Sequence, residues 1–342
     1  MTLKIKDIKV KVNFLYKFIT LLFLFKLLVL NPVFGATLNN DFEEWLDSYK
    51  KDALKKGISQ KTIDIAFQNV KFLDQVIKYD RKQPEFFEDT TTYVNKRATN
   101  SRAKKAKDLL KKNKELFIEV ESKFNVEKEI LLSLWGIETQ FGKYVGKMDI
   151  ISSLATLSYD KRRRDFFSSQ LLTLLKLIDD KLIDPKTLYG SWAGAYGNFQ
   201  FMPSTIKSYA IDYDGNNKIE LKTSLEDSLA SAANYINKIG WKRGEPCFYK
   251  VKLSKKINKK YLNSSARKIT YRKKVSQWKK KGVVIFDGII ENENLKAALI
   301  LPDGKIDSPA FLVFENYEKI LKWNRSLRFG ISVCTLANMI KI

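Results

Sequence analysis

From about Asn39 to Asp179 apolar side chains recur every three or four residues, two further helical stretches follow before Gly240, and after Trp241 that spacing stops. The change of period restricts the chain to a helical part followed by a part made of short strands. FEEWLDSYKKDALKKG, QKTIDIAFQNV, NSRAKKAKDLLKKNKELFIEVESKF and KEILLSLWGIETQF each carry an apolar stripe with charged outer faces, and RRRDFFSSQLLTLLKLIDD fits a further helix. Pro203 opens a helix running to Tyr209, and SLEDSLASAANYINKIG gives another, with Ser224 as its N-cap and Gly240 as its stop. Beyond Trp241, CFYKVKL, ARKITYRKKV, GVVIFDG, LKAALILPDG and PAFLVFENY are β-branched or aromatic runs separated by turn residues. They predict a small antiparallel sheet, and ISVCTLANMI predicts a short closing helix. The fold class is therefore mainly α, of the α+β type.

Composition narrows the chemistry. The chain has no histidine, which removes His-based triads and His-ligated zinc and leaves proton transfer to carboxylates, Tyr or Lys. Two cysteines, Cys247 and Cys334, are too few for a disulfide framework, although they suffice for one bridge in an oxidising compartment. Five lysines precede the apolar run FITLLFLFKLLVL, and small residues follow at Gly35 and Ala36, the pattern of a cleaved secretory signal over residues 1–35; an uncleaved anchor is the other reading. No cysteine follows the run to carry a lipid. The formal charge is +24, and losing residues 1–35 removes six Lys and one Asp to leave +19. Export makes nucleic acid a poor partner for that charge and leaves envelope polyanions. From Lys250 to Lys281 there are fourteen Lys or Arg and no Asp or Glu, which reads either as a polyanion-contacting surface or as a solvated face.

Four clusters carry candidate chemistry. In LLSLWGIETQFG, Glu138 occupies a position where helical spacing calls for another hydrophobe; it either swings to solvent at the helix end or is held against Leu134, Trp135 and Phe141. In the second case its carboxyl should hold a proton near neutral pH, as a general acid must. GSWAGAYGNFQFMPS combines small residues with Ser191, Tyr196, Asn198 and Gln200, and suits either a tight turn or a sugar-binding loop. In IDYDGNNKIELKTSLED, Asp212, Asp214 and Asn216 alternate as calcium-loop ligands do; the sixth position is Asn217 rather than Gly, the twelfth is Thr223, and Asp227 is the best closing ligand. The rival reading is an Asp/Asn turn, with Asp227 serving the Ser224 cap. KRRRDFF puts Arg162, Arg163 and Arg164 at a helix start, where cations are unfavourable without an anionic partner.

WGIETQFG, LATLSYDKRR, GSWAGAYGNFQFMPS, the Asp-rich loop, LASAANYINKIGW, PDG followed by PAFLVFENY, and KWNRS stand in the order found in the lytic murein transglycosylase B family, glycoside hydrolase family 103, which this chain resembles from about Asp41 to its end. The resemblance implies a lysozyme-like helical core with an EF-hand-like loop, a helical lobe and a small β domain. It implies segments at 36–125 for the lobe, 126–244 for the core, 245–315 for the basic β domain, and 316–342 returning to the active-site cleft. Glu138 matches the sole catalytic acid/base; Ser191, Gln200, Tyr93, Tyr235, Arg162, Arg163, Asn324 and Trp323 match substrate-binding positions. Asp212, Asp214, Asn216, the Lys218 carbonyl and Asp227 match the metal loop. Trp323 and Phe329 depart from the family's Tyr, which keeps stacking and loses a hydroxyl. The implied activity is cleavage between MurNAc and GlcNAc of peptidoglycan with a 1,6-anhydro product, in the periplasm, as a monomer, alone or within wall-enzyme complexes. No cofactor is needed for the chemistry, and Ca²⁺ would be structural. Rival readings are a hydrolytic muramidase, for which Asp160 or Asp165 would be the second carboxylate, and a non-catalytic wall-binding scaffold.

Overall fold

The computed structural model describes residues 40–82, 88–286, 290 and 292–341. The expected leader, 1–35, lies outside the described residues. The chain divides into two compact units, Met1–Asp64 and Ile65–Ile342, so the expected boundaries at 125, 244 and 315 all fall inside the second.

In the first unit, helix α1 (residues 40–55) aligns Phe42, Trp45 and Tyr49 along one side, with the Phe42 and Trp45 rings stacked at 5.7 Å. Helix α2 covers Gln60–Phe67.

In the second unit helices succeed one another as α3 (Asp74–Arg81), α4 (Thr90–Arg97), α5 (Asn100–Lys112), α6 (Lys114–Phe124) and α7 (Lys128–Thr139). Side-chain caps set several of their starts: Asp89 accepts the N–H of Thr92 at α4, and Thr99 accepts that of Arg102 at α5. A two-residue ribbon, β1 (Met148–Asp149) with β2 (Tyr189–Gly190), brackets α8 (Ile150–Tyr159) and α9 (Arg164–Asp179). Helices α10 (Pro203–Tyr209) and α11 (Leu225–Lys238) follow, the latter capped by Ser224 as expected.

Helix α7 is more deeply placed than a one-sided stripe implies. Every residue from Ile130 to Gly136 is buried, the mark of a helix surrounded by others. It packs on the last helix, α14 (Leu327–Lys341), and the Ser133 hydroxyl donates to the Val333 carbonyl at 2.6 Å.

The sheet comprises β3 (Phe248–Leu253), β4 (Leu262–Asn263), β5 (Lys273–Lys274), β6 (Val283–Ile285), β7 (Lys296–Ile300) and β8 (Ala310–Val313), in the order β4-β7-β8-β3-β6 with β5 beside β7. One pairing departs from the antiparallel expectation: β4 and β7 are parallel. ARKITYRKKV supplies only β5, because Asn263 folds the chain back on itself. Its Oδ1 accepts the Thr270 N–H at 2.8 Å while its Nδ2 donates to the carbonyls of Thr270 and Leu299, at 3.1 and 2.9 Å. A short helix, α12 (Val275–Lys280), was not anticipated; Val275 and Trp278, three apart, face the sheet fully buried, and the indole N–H bonds the Ala297 carbonyl at 2.9 Å. PAFLVFENY likewise ends as a strand at Val313, and Glu315 begins α13 (Glu315–Trp323). The closing helix starts at Leu327 rather than Ile331. Cys247 and Cys334 form a disulfide with Cα atoms 6.1 Å apart, tying the entry to β3 onto α14.

Candidate active site

Glu138 sits in the last turn of α7, half-buried, and the indole Nε1–H of Trp323 donates to its Oε1 at 2.9 Å. The helix stops there abruptly. Gln140, Phe141 and Gly142 take φ values of 50°, 61° and 82°, and the first two cost about 1–3 kcal/mol each for non-glycine residues. Three hydrogen bonds hold the turn: Phe141 N–H to the Trp135 carbonyl, Gly142 N–H to Thr139 Oγ1, and Tyr144 N–H to the Thr139 carbonyl, at 3.2, 3.0 and 2.9 Å. The reversal lays the Phe141 ring edge-on to Trp135 at 5.6 Å. Gly136 is required by that packing, since a Cβ there would lie 2.7 Å from the ring.

Asn198 anchors this end of α7. Its Oδ1 accepts the Trp135 indole N–H at 3.0 Å, its backbone carbonyl accepts the Thr139 hydroxyl at 2.8 Å, and its Nδ2 donates to Ser228 Oγ at 3.1 Å and to the carbonyls of Leu221 and Lys222 at 3.3 Å. One amide thereby joins the Glu138 helix, the glycine-rich loop, the Asp-rich loop and α11.

From Glu138 an aromatic column leads outward. Trp323 stacks on Tyr235 at 5.1 Å, Tyr235 stacks on Tyr209 at 4.4 Å, and Phe199 and Phe201 meet Trp323 edge-on at 6.2 and 5.3 Å. The Tyr235 hydroxyl donates to the Lys322 carbonyl at 3.0 Å; burial, with Tyr209 alongside, pushes it up to about 12. The substitution of Trp for the expected Tyr at 323 therefore preserves the stacking and supplies an indole donor to the carboxyl.

In the loop, the small residues admit the protein's own backbone. A Cβ on Gly190 would come within 2.2 Å of the Ala195 carbonyl oxygen, and one on Gly197, where φ is +78°, within 2.4 Å of the Leu221 oxygen. Ser191 Oγ accepts the Ala195 N–H at 3.0 Å and so closes a turn. Gln200, half-buried with φ 51°, donates Nε2 hydrogens to the Val145 and Gly197 carbonyls at 3.1 and 2.9 Å; its Oε1 makes no hydrogen bond among the described residues.

The Asp-rich loop gathers three carboxylates. Ligand oxygens of Asp212, Asp214 and Asp227 lie within 4.8 Å of one another. Asp227 is fully buried and accepts the N–H groups of Tyr213 and Glu220, at 2.8 and 2.9 Å, so its carboxylate closes the loop instead of returning to the Ser224 cap. Asp212 accepts from Gly215, Asn216 and Asn217, and Asn217 adopts φ 65°, a left-handed conformation that Asn tolerates in place of Gly. Desolvation, with the charges of Asp227 and Asp212 and against the Asn216 N–H, holds the Asp214 carboxyl above its ordinary value.

The transglycosylase SLT domain matches residues 41–338, nearly all of the described chain. This chain belongs to that family. Membrane-bound lytic murein transglycosylase B of Escherichia coli is 42% identical over 123 residues, 36% of this chain and 34% of that protein, so the aligned stretch spans about a third of the relative's length. Among solved structures, SltB3 of Pseudomonas aeruginosa in complex with NAG-NAM-pentapeptide superposes with a TM-score of 0.80 at 34% identity, over 88% of this chain and 79% of that one; the same protein is also known with NAG-anhNAM-pentapeptide. Lytic transglycosylase Slt35 of Escherichia coli, in complex with calcium, gives 0.72 at 26% identity over 89% and 93%. The helical fold with a small sheet is thus shared with these lytic transglycosylases.

Other expected site residues are placed less openly. Arg162 is an ion-pair partner within the protein: its Nε donates to Asp80 Oδ2 at 2.7 Å and its guanidinium also meets Oδ1, bridging the turn between α8 and α9 to α3 across 82 positions. Arg163 lies over the Phe167 ring at 4.5 Å, its pKa lowered by burial and by Arg162. Tyr93 is 1% exposed, with the Arg97 guanidinium 3.4 Å above its ring, so in this conformation it belongs to the interior and lines no open surface. Asn324 terminates α13 and accepts the Ser326 N–H on its carbonyl at 2.8 Å, directly after Trp323. Sequence reasoning passed over Tyr209 as a stacking residue and Asn198 as an anchor. Tyr209 ends a short helix with no periodic signal, whereas Asn198 reads from the sequence as a hydrogen-bonding group of the loop and its partners on α7 lie about 60 residues earlier.

Proposed function

We propose that this chain is a lytic transglycosylase that cleaves the β-1,4 bond between MurNAc and GlcNAc in peptidoglycan, with Glu138 as its only acid/base. The observation that carries the reading is the half-buried Glu138 carboxyl, held by the Trp323 indole at the end of an aromatic column. Flat rings suit sugar faces, and one oriented carboxyl suffices when the substrate supplies the second group. Protonated Glu138 donates to the glycosidic oxygen as the C1–O bond breaks, and the MurNAc acetamido oxygen closes on C1. The carboxylate then takes the proton of the MurNAc C6 hydroxyl, whose oxygen displaces the acetamido oxygen from C1. The product is 1,6-anhydro, and water is not consumed. The complex of SltB3 with an anhNAM-pentapeptide supports this product for the family fold.

A hydrolytic muramidase needs a second carboxylate about 5–9 Å from the acid. The two nearby in sequence are poorly suited. Asp160 accepts from the Arg81 guanidinium at 2.9 and 3.1 Å and from the Arg162 N–H, and Asp165 is exposed on the first turn of α9. The Asp-rich loop fits a structural calcium: Asp212, Asp214 and Asp227 supply carboxylates, with Asn216 Oδ1 and the Lys218 carbonyl as neutral oxygens. Calcium would neutralise crowded charge and hold the loop that Asn198 ties to the Glu138 helix. The periplasm is the compartment we assign from the leader pattern; no helix among the described residues is long and apolar enough to cross a membrane.

The decisive experiment is mass spectrometry of soluble products after the purified protein is incubated with peptidoglycan. Muropeptides lighter by one water than their reducing counterparts are expected. Reducing ends would replace this reading with a hydrolase, and binding without release with a scaffold.

A further inference from the structure

The basic segment of the sheet region gathers its charge in one place. Three ammonium groups, those of Lys260, Lys273 and Lys281, lie 5.2, 5.2 and 5.1 Å from the centroid of the Tyr261 ring. They come from three separate positions: Lys260 from the turn before β4, Lys273 from β5 ahead of α12, and Lys281 from the residue after α12. None of the three makes an ion pair among the described residues, whereas their neighbours Lys279 and Arg272 are paired with Glu293 and Glu318. Like charges brought to one ring repel, and attraction to the ring's π face offsets only part of that.

An aromatic side chain stands beside them at the surface. Tyr271 is 50% exposed, its ring meets Tyr261 edge-on at 5.7 Å, and its backbone holds φ 58°, a conformation a bulky residue rarely takes. Beneath, Trp278 is fully buried and 6.0 Å from Tyr261, so the cluster rests on a rigid base. Lysines gathered on Tyr261, with the exposed Tyr271 edge-on to that ring, match the interface of an anionic bilayer. The ammonium groups meet phosphates, and the amphipathic ring sits at headgroup depth.

We propose that this face docks the protein on a membrane surface bearing anionic phospholipids, with Lys260, Lys273 and Lys281 taking the phosphates and Tyr271 inserting between headgroups. The test is co-sedimentation of the full chain with vesicles of phosphatidylcholine alone and of phosphatidylcholine mixed with phosphatidylglycerol. Binding to the mixed vesicles only, weakening with salt, is expected. The Lys260→Gln, Lys273→Gln, Lys281→Gln triple variant should lose about a hundredfold in partitioning, at roughly one lysine's share per surface contact. The corresponding triple Arg variant should retain binding, and Tyr271→Ser should weaken it with the lysines intact. Because all variants keep residues 1–39, any contribution of that segment cancels. Unchanged vesicle binding by a triple Gln variant that melts like the parent overturns the proposal. So does unchanged vesicle binding with lost retention on peptidoglycan, which would assign the lysines to the wall polymer.

Discussion

Trp323 and Glu138, 185 residues apart in the chain, are joined by a hydrogen bond of 2.9 Å. The donor comes from the last residue of α13 and the acceptor from the last turn of α7, so two helix ends fix the orientation of one carboxyl. Trp323→Phe keeps the ring and removes the N–H. A hydrogen bond to a charged group contributes about 1.5–3 kcal/mol, which corresponds to roughly 10–100-fold in kcat. We expect that loss with KM little changed and a displaced pH profile, measured on soluble muropeptide chains. Glu138→Gln should fold, bind glycan and show no turnover.

Asn198→Ala would leave the Trp135 indole, the Ser228 hydroxyl and the carbonyls of Leu221 and Lys222 with fewer partners in a buried setting. The expected destabilisation is about 2–3 kcal/mol. Urea unfolding should register it, and activity should fall in parallel because α7 and both loops share the residue.

Asp303 ties α4 to α14, accepting the Thr90 hydroxyl at 2.6 Å and the Arg328 guanidinium at 2.7 Å. Burial pushes its pKa up, but the bonds from Thr90 and Arg328 outweigh this and hold the carboxyl below its usual value. A carboxyl depressed in the folded state contributes stability that is complete above its unfolded pKa and is lost as pH falls through the folded one. Asp303→Asn should therefore cost about 1–2 kcal/mol at neutral pH, and its unfolding curve should converge on the parent's as pH drops below the ordinary carboxylate range.

Reduction of Cys247–Cys334, which closes a span of 87 residues, should lower stability by about 2–4 kcal/mol through the freedom restored to the unfolded chain. Denaturant titrations with and without a thiol reductant give the difference directly; equal midpoints would contradict it.

Calcium should raise the thermal midpoint of the parent and leave that of Asp214→Asn nearly unmoved, by preferential binding to the folded loop. Equal shifts in both would take the Asp-rich loop out of any metal role.

The division into helices followed by a small sheet was legible from the spacing of apolar residues alone, because period is a local property. Glu138 was legible for the opposite reason: it violates that spacing. Arg162 was not, since its partner Asp80 stands 82 residues earlier and no local pattern links them. ARKITYRKKV has strand composition, but Asn263 captures Thr270 and turns the chain, so only Lys273–Lys274 joins the ladder. Tyr93 has the chemistry of a sugar platform, and only the packing of α4 shows it enclosed. The glycines of the Gly190–Gly197 loop signalled close approach correctly without saying to what; the approaching group is the neighbouring backbone.

Trp323 is followed by α14, the helix that packs against the one carrying Glu138. The carboxyl and the indole that orients it are therefore set by a contact between segments 185 residues apart, and any loosening of α14 from α7 would be felt first as a disordered carboxyl.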